Sequence, residues 1–248
     1  MTGPSSARHY TVLAMKWGPK YGPDYVNTLY SMVARNLTLP FQFVCFTDDA
    51  ADIRDEVICR PLPEIAVPDA HADVPWRKVG LYRPDLLEWS GKALFIDLDV
   101  IVTGSLNDLF AYTDKLGIAE NWTQPGQNIG NTSVFTFNLG SMGYIYDRYC
   151  KTWDTLFDRF DNSQKFVSET AHARGDLHYF PKTWVRSFKV DCMPGGLMNW
   201  VATPRLPQDA RIVAFHGDPK PPDAARGHYP GKWYKHVRPT PWIRDHWR

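Results

Sequence analysis

Short runs of apolar residues, each bounded by turn-forming residues, dominate the first hundred positions of the chain. Such runs predict buried β-strands. Four of them stand at residues 10–15 (YTVLAM), 41–46 (FQFVCF), 57–59 (VIC) and 93–96 (ALFI). Between the first two runs, Leu29, Met32 and Val33 recur at helical spacing, which predicts a helix that ends near Asn36.

The apolar pattern is less regular in the rest of the chain. A second helix, kinked at Pro84 because proline lacks a backbone N–H, is predicted by Trp76, Val79, Tyr82 and Leu86. A long helix is predicted from near Gly143, with an apolar face made of Tyr146, Tyr149, Trp153, Leu156 and Phe160. Further strands are predicted at residues 132–137, 185–190 and 211–215. From residue 218 the chain is rich in Pro, Gly and aromatic residues, which indicates an irregular strap over the surface.

Strands that alternate with helices predict a single α/β domain with a Rossmann-like, mostly parallel central sheet flanked by helices. Within it we expect three parts, at about 10–104, at 105–217 and, as the C-terminal strap, at 218–248. Ligands of open parallel sheets bind beyond the carboxyl ends of the strands. Three polar segments follow strands there and are expected to converge: Lys16-Trp17, Thr47-Asp48-Asp49 and Asp97-Leu98-Asp99.

The composition is that of an ordinary globular protein. Hydrophobic residues make up 44% and charged residues 22%, and the formal net charge of +1 excludes a surface built as a whole to neutralise nucleic acid. The four cysteines have no C-x-x-C spacing, so we expect buried thiols in a reducing cell interior. The sequence has no run of about 18 apolar residues and no apolar leader, which predicts no transmembrane segment and favours a cytoplasmic location. It leaves the oligomeric state open.

Asp97 and Asp99 directly follow the apolar run 93–96, so the predicted strand delivers both carboxylates to one end of the sheet. In an extended backbone, residues i and i+2 point the same way, and both side chains can reach one cation. Carboxylate oxygens suit Mg²⁺ or Mn²⁺, which bind a few carboxylates together with substrate phosphates. The alternative is that one Asp caps the next helix and the other faces solvent.

Several short motifs together resemble the glycogenin-like glycosyltransferases of family eight, which have the GT-A fold. The chain has TDD after the second strand, a basic residue before D-x-D, and the motif LFIDLDV. Asn131-Thr132-Ser133 matches an N-x-S segment, and His216-Gly217 with Lys220-Pro221 matches a late histidine motif. The resemblance, which spans roughly residues 10 to 222, implies a metal-dependent enzyme with a nucleotide-binding half at about 10–104 and a sugar and acceptor half at 105–217. Such an enzyme moves a sugar from a nucleotide-diphosphate sugar, here a UDP-sugar, to a hydroxyl acceptor with retention of configuration.

The resemblance also implies roles for individual residues. Asp97, Asp99 and His216 would bind the metal, and a nitrogen ligand suits Mn²⁺ better than Mg²⁺. Lys220 would neutralise the donor diphosphate, and Asp48 would contact the nucleobase. The other donor-binding residues would be Ala14, Met15, Lys16, Lys78, Asp97, Leu98 and Gly217.

The catalytic candidates are Lys220, Asn131 and Asp176. A cation and Lys220 would stabilise the charge that grows on the leaving diphosphate. Asp176 lies in a segment that corresponds to a sugar-binding one, and either Asp176 or Asn131 could face the oxocarbenium-like sugar carbon. The family's late motif is H-x-x-G-x-x-K-P-W, whereas the histidine and lysine here are only four residues apart. The alternatives are a histidine that closes a strand at 216 and solvated or structural charges at 78 and 176.

The tail from His216 onward is basic and aromatic. Its seven Lys or Arg residues, against three Asp, are Lys220, Arg226, Lys232, Lys235, Arg238, Arg244 and Arg248. The interleaved aromatic residues are Tyr229, Trp233, Tyr234, Trp242 and Trp247. Such side chains hold nucleic acid, so hydroxymethylated DNA is a candidate acceptor. The other interpretation is a strap that packs its Trp side chains against the domain, with a saccharide or lipid-linked acceptor as the default.

Two functions of other classes remain open on the sequence. One is a non-catalytic carbohydrate- or nucleic-acid-binding module that keeps the fold without turnover. The other is a nucleotidyltransferase, because paired carboxylates also hold metals for phosphoryl transfer. Candidates for the metal, phosphate and base sites occur together, which favours turnover, and His216 with Lys220-Pro221 favours sugar transfer.

Overall fold

The computed structural model describes residues 10–68, 70, 75–231 and 234–248. Its strands are β1 (Tyr10–Lys16), β2 (Phe41–Thr47), β3 (Val57–Arg60), β4 (Lys92–Ile96), β5 (Val100–Val102), β6 (Leu116–Glu120), β7 (Gly130–Asn138), β8 (Leu177–Tyr179), β9 (Val185–Ser187) and β10 (Ile212–Ala214). Its α-helices are α1 (Pro23–Asn36), α2 (Asn107–Ala111), α3 (Gly143–Lys151), α4 (Trp153–Arg159), α5 (Ser163–His172), α6 (Pro221–Arg226) and α7 (Trp242–His246). Tighter 3₁₀ helices span Gly18–Lys20, Pro75–Tyr82 and Gly196–Trp200, and a π-helix spans Phe188–Cys192.

A seven-stranded sheet with the order β3-β2-β1-β4-β7-β6-β8 forms the centre of the domain. The first four strands in this order are mutually parallel. Strand β7 runs antiparallel to both of its neighbours, β4 and β6, and β8 is parallel to β6. The predicted fold class, a single α/β domain with a mostly parallel central sheet, is therefore confirmed.

Both faces of the sheet are covered, which explains why the central strands β1 and β4 are mostly apolar. In β1, Val12 and Ala14 belong to the core on the α1 side, and Leu13 and Met15 belong to the core on the α3 side. Side chains alternate between the two faces of a strand, so a strand buried on both sides is apolar at most positions rather than at every second one. The same alternation produces the run ALFI in β4.

A second, three-stranded sheet with the order β5-β10-β9 lies beside the first. Its central strand, β10, is antiparallel to β5 and parallel to β9. Asp99 immediately precedes β5, Ser187 ends β9, and His216 follows β10 by two residues. This small sheet therefore brings together side chains from three distant parts of the chain.

Four local predictions need correction. The helix predicted through Leu86 is a 3₁₀ helix that ends at Tyr82, because a residue that precedes proline disfavours helical dihedrals. The long helix from Gly143 is two helices, which meet at Thr152. The strand predicted at 185–190 ends at Ser187, whose Oγ accepts a hydrogen bond from Val190 N (3.2 Å) and starts the π-helix. The C-terminal strap is largely irregular, as predicted, but it contains α6 and α7.

The prediction that the cysteines are buried thiols is confirmed for only part of the set. Cys45 and Cys192 are buried as predicted, Cys59 is half-buried, and Cys150 is exposed on the solvent side of α3, so the prediction is wrong for Cys150. All four are free thiols. Within the described ranges, no helix combines the length and the apolar character that crossing a bilayer requires.

Candidate active site

The strand order places a crevice between β1 and β4. From β1 the chain proceeds outward to β2 and β3, and then returns to the other side of β1 as β4. Pairing between β1 and β4 ends at Leu13↔Phe95, although β1 continues beside β2 to Lys16↔Thr47. Beyond this point Asp97 N donates to Ser133 O (2.8 Å) on the β7 side. Such a reversal of strand order is the usual ligand position of open α/β sheets.

The segments that follow β1 and β2 meet at this crevice. The buried side chain of Lys16 donates from Nζ to the carbonyl of Asp49 (3.0 Å), and Gly18 N donates to Oδ2 of Asp48 (2.8 Å). Asp48 itself is exposed. The convergence of these two segments, predicted from the sequence, is confirmed.

Asp97 forms an ion pair with a lysine from the 3₁₀ helix Pro75–Tyr82. Lys78 Nζ lies 2.6 Å from Oδ1 of Asp97 and also donates to Thr132 O (3.1 Å). Burial raises the pKa of Asp97, and Lys78 opposes the rise while the carboxylate of Asp99 adds to it. Because Lys78 is buried, the interpretation of Lys78 as a solvated surface charge is wrong. The interpretation of Lys78 as a structural charge that holds Asp97 agrees with this geometry.

Asp99 is buried and has two partners on one oxygen. Oδ2 accepts from the hydroxyl of Tyr21 (2.7 Å) and lies 2.6 Å from Nζ of Lys220. Lys220 stands at the N-terminus of α6, and its ammonium also lies 5.5 Å from the centre of the Tyr21 ring. Burial and the Asp99 carboxylate raise the pKa of Tyr21, which keeps its hydroxyl protonated as a donor.

His216 lies at the carboxyl end of β10, in the same charged neighbourhood. Its Nε2 shares a hydrogen bond of 2.7 Å with Ser187 Oγ, and its ring stacks on Trp122 with centroids 5.8 Å apart. Burial lowers the pKa of His216, and Lys189 and Lys220 lower it further, while Asp99 opposes them. The imidazole is therefore held in its neutral form, the form that binds metals.

The predicted metal ligands fit a divalent ion only in part. Asp97 and Asp99 lie close enough for one charge to shift the pKa of the other, and two carboxylates with substrate phosphates are a common magnesium-type ligand set. Each carboxylate is bound to a lysine, and His216 is bound to Ser187. Nowhere in the described ranges do three His, Cys, Asp or Glu side chains form a group that could hold a metal.

The other residues predicted to contact the donor differ in which of their groups a ligand could reach. Ala14, Met15 and Leu98 have buried side chains within the cores, so only their backbone groups could reach a ligand. Asn131 lies at the start of β7, and its Oδ1 accepts from Ser133 N (2.9 Å). Gly217 has a φ of +70°, and a side chain there would press against Lys189 Nζ, 3.2 Å from the Cβ position.

Asp176 does not belong to this site. Its carbonyl accepts from Leu116 N (3.0 Å), at the first residue of β6. Strands β4 and β6 are both antiparallel to β7, so they run the same way, and Leu116 marks the amino end while Asp97 follows the carboxyl end. These ends are more than about 10 Å apart. The Asp176 carboxylate is bound to Lys115 Nζ (2.6 Å) and Tyr144 OH (2.9 Å), so the structure corrects the assignment of Asp176 to the sugar.

Four side chains at the site were not found from the sequence: Tyr21, Trp122, Ser187 and Lys189. Tyr21 and Asp99 are 78 positions apart, and Ser187 and His216 are 29 apart. Local periodicity carries no information on such pairs. The only available signal was the position of Tyr21 shortly after β1, at the end of the sheet where ligands bind.

The basic aromatic tail is packed more closely than a nucleic-acid-binding arm would be. Trp242 and Trp247 pack against the core, and Trp242 Nε1 donates to Pro204 O (3.1 Å). Tyr234 is exposed. Lys232 and Trp233 lie outside the described residues. The strap interpretation is thus confirmed for Trp242 and Trp247.

Comparisons with known proteins support the fold without identifying a relative by sequence. The sequence matches no protein-family model and no curated protein. Its structure is similar to galactosyltransferase LgtC in complex with donor and acceptor sugar analogues, at 15% identity and a TM-score of 0.59, over 85% of this chain and 88% of that chain.

Two further solved structures extend this similarity. Apo-form glycosyltransferase GlyE of Streptococcus pneumoniae TIGR4 matches at 15% identity and a TM-score of 0.61, over 86% of this chain and 56% of that chain. Apo-form mouse xyloside xylosyltransferase 1 matches at 14% identity and a TM-score of 0.55, over 85% of this chain and 98% of that chain. The chain thus has the fold of GT-A glycosyltransferases.

Proposed function

We infer that this protein is a glycosyltransferase that binds a nucleotide-diphosphate sugar, a UDP-sugar, in the crevice between β1 and β4. One observation carries the proposal. Two carboxylates, Asp97 and Asp99, and two ammonium groups, Lys78 and Lys220, meet at the strand-order reversal of a fold that glycosyltransferases use. A diphosphate needs cations, and a divalent ion that accompanies it needs carboxylates.

Asp97 and Asp99 would hold the divalent ion, Mn²⁺ or Mg²⁺, with His216 as a third ligand once it leaves Ser187. When bound, the ion would neutralise part of the charge of the donor diphosphate. The rest of the donor would lie along the ends of β1 and β2. Asp48 would face the nucleobase, and backbone groups of Ala14, Met15, Leu98 and Gly217 would line the pocket.

Lys220 is the residue of this chain best placed to assist bond cleavage. In the transfer step, the acceptor hydroxyl oxygen bonds to the anomeric carbon, and the bond from that carbon to the diphosphate breaks. The electron pair leaves with the diphosphate, and the hydroxyl proton passes to a diphosphate oxygen. A lysine released from Asp99 onto the diphosphate would stabilise its growing charge, and such an electrostatic contact contributes about 3 to 4 kcal/mol in other enzymes.

The open face of the sugar would be met by Asn131. Asn131 lies at the start of β7, and its Oδ1 accepts from Ser133 N (2.9 Å). The carbonyl of Ser133 in turn accepts from Asp97 N (2.8 Å). The amide could support positive charge on the sugar carbon, in keeping with transfer that retains configuration. The acceptor would be a saccharide or other glycan hydroxyl.

Donor binding is tested by thermal denaturation with and without Mn²⁺ and a panel of UDP-sugars. We expect a ligand-induced rise in melting temperature for the wild type, because a ligand that binds only the folded state stabilises it. Asp99→Asn should abolish the rise. Asp154→Asn, an exposed position on α4, is the matched control and should keep it.

Turnover is tested by mass spectrometry of the nucleotide released. Release of UDP from a UDP-sugar supports glycosyl transfer. Release of pyrophosphate from UTP and a sugar phosphate would indicate a nucleotidyltransferase instead. A thermal shift without any released nucleotide across the panel would support a non-catalytic binding module, and no shift with any donor would refute the proposed donor site.

A further inference from the structure

A cleft lies next to the donor crevice, on the side of Gly217. It comprises two neighbouring cavities of about 380 and 250 Å³, and both are lined by Lys189, Tyr229 and Lys235. Lys189 stands on the π-helix, whose first turn is held by Ser187 Oγ, the same atom that bonds His216. The wall of the cleft is thus tied directly to the candidate active site.

Two ammonium groups, those of Lys189 and Lys235, against one carboxylate, that of Asp218, give the lining of this cleft a net positive charge. Lys189 reaches over Gly217, and burial lowers the pKa of Lys189, as do the nearby ammonium groups of Lys235 and Lys220, with Asp218 opposing them. Lys220 is paired with Asp99. In the part of the chain that the structure describes, neither Lys189 nor Lys235 has an ion pair, although Lys235 lies over the Tyr229 ring at 5.5 Å. Lysines held together in this way attract a multiply charged anion.

The larger of the two cavities is also lined by side chains that suit a sugar-binding surface. Trp200 stacks on His236 with centroids 4.5 Å apart and planes within 2°, and 46% of Trp200 is exposed. Flat aromatic side chains of this kind contact the apolar faces of sugar rings. Asn199 lines the same cavity, and its Oδ1 atom is buried with no hydrogen-bond partner among the described residues. A buried acceptor without a donor is costly unless a ligand hydroxyl satisfies it.

We propose that this cleft binds the acceptor, and that the acceptor is a saccharide that carries a phosphate group. Lys189 and Lys235 bind the phosphate, Trp200 and Tyr229 contact the sugar ring, and Asn199 accepts from a sugar hydroxyl. The assignment of the bound group as acceptor rests on the proposed glycosyl transfer, because the cleft adjoins Lys220 of the donor site. A free phosphosaccharide and a lipid-linked sugar diphosphate share this chemistry.

The test uses saccharides immobilised as matched pairs, with and without a phosphate monoester. The protein is applied in the presence of UDP and Mn²⁺, which are included to occupy the donor crevice so that the immobilised saccharide binds elsewhere. We expect retention of the phosphorylated members over their neutral partners. Lys189→Gln with Lys235→Gln should weaken retention by about tenfold or more, because each charge-assisted hydrogen bond contributes strongly to affinity. Lys151→Gln, an exposed lysine on α3, should not.

Three results would overturn the proposal: equal retention of neutral and phosphorylated saccharides, unchanged retention by the double variant, or preferential binding of hydroxymethylated duplex DNA. The same saccharide on a polyprenyl diphosphate in detergent distinguishes a lipid-linked source from a soluble one. Thermal shift by UDP and Mn²⁺ is measured on the single variant Lys235→Gln, which keeps Lys189 beside the donor site, and should match the wild type. Phosphosaccharide binding without any UDP response would refute the donor proposal and leave the cleft assignment intact.

Discussion

Asp99 is held at the centre of the site by two side chains from opposite ends of the sequence. Tyr21 and Lys220 both bind its Oδ2, at 2.7 and 2.6 Å. A buried carboxylate without such partners would cost several kcal/mol, since desolvation disfavours its charged form. The pairing therefore orients Asp99 before any ligand arrives, and a diphosphate has to compete for Lys220.

The titration of His216 provides a direct test of this charged environment. Burial and the nearby lysines lower its pKa below the ordinary value of 6.5. The folded protein then binds this proton less readily than the unfolded chain, so this contribution to stability falls as pH drops below about 6.5 and is restored as pH rises. We expect NMR in metal-free buffer to show His216 titrating below its ordinary pKa value of 6.5.

Removal of the charge at Lys189 should raise this pKa. Lys189→Met is expected to shift the His216 titration upward, and Lys189→Arg, which keeps the charge, should leave it low. A wild-type His216 that titrates above its ordinary value of 6.5 would contradict the structure of the site.

At the residue scale, the sequence predicted where a side chain lies in the fold better than which side chains it contacts. Asp97 and Asp99 could be placed at a strand end because ALFI precedes them directly. Asp176 could not be placed correctly, because the end of the sheet at which it lies depends on the antiparallel direction of β7. The alternation of apolar and polar residues in β7 predicts a strand but not its direction. The apolar pattern predicts Lys189 within a strand, whereas it lies on the π-helix that follows Ser187.

At the element scale, the helix α6 delivers Lys220 to Asp99 and ends at Gly227. This glycine has a φ of +79°, and an added Cβ would lie 2.6 to 2.7 Å from atoms of Pro239. Two constraints therefore act at one position: a left-handed backbone, which favours glycine, and close approach of another segment. The sequence signalled this helix only by the Pro-Pro pair at its start and glycine at its end.

Gly227→Ala is expected to reduce the free energy of unfolding by about 2 to 4 kcal/mol, from backbone strain together with overpacking. Gly175→Ala is the matched control, because Gly175 has a φ of +70° and open space around its Cβ position. It should lose only about 1 kcal/mol, from the backbone alone. Urea denaturation measures both, and equal losses would show that Pro239 does not approach Gly227 as described.

Element types were predictable where burial is two-sided or periodicity is long. Strands β1, β2 and β4 and helix α1 agree with their apolar patterns. Elements of three to five residues, such as β5, β8 and α2, carry too few positions to show a period. The break at Thr152 was also hidden, because α3 and α4 continue one apolar face across it.

At the scale of the whole molecule, the C-terminal segment is part of the core. Ile243 and Val237 are buried with the residues of α1, β5 and β10, and Arg35 of α1 donates to the carbonyl of His246 (2.7 Å). From the sequence only the Trp side chains of this segment were expected to pack, and its irregular pattern did not indicate the burial of Val237 and Ile243. The segment stabilises the core that also contains Ala224 of α6, the helix that begins after Lys220.

Ile243→Ala is therefore expected to cost about 2 to 5 kcal/mol, the range for an aliphatic side chain lost from a packed core. Leu197→Ala is the control, because Leu197 is 85% exposed, and its effect should stay within about 0.5 kcal/mol. Chemical denaturation followed by circular dichroism measures both. A loss at Ile243 as small as that at Leu197 would mean that the segment is not packed against the core.

The small sheet β5-β10-β9 also determines when, during synthesis, the side chains of the candidate site can come together. Its strands begin at residues 100, 185 and 212, and pairing between such distant segments is slow because long loops must close first. During synthesis the four parallel strands emerge early, and domains fold as their chain becomes available. A nascent chain that has reached β4 holds Asp97 and Asp99 but neither His216 nor Lys220. On the proposed function, the donor site is therefore completed only after Lys220 has been synthesised and β10 has paired with β5 and β9.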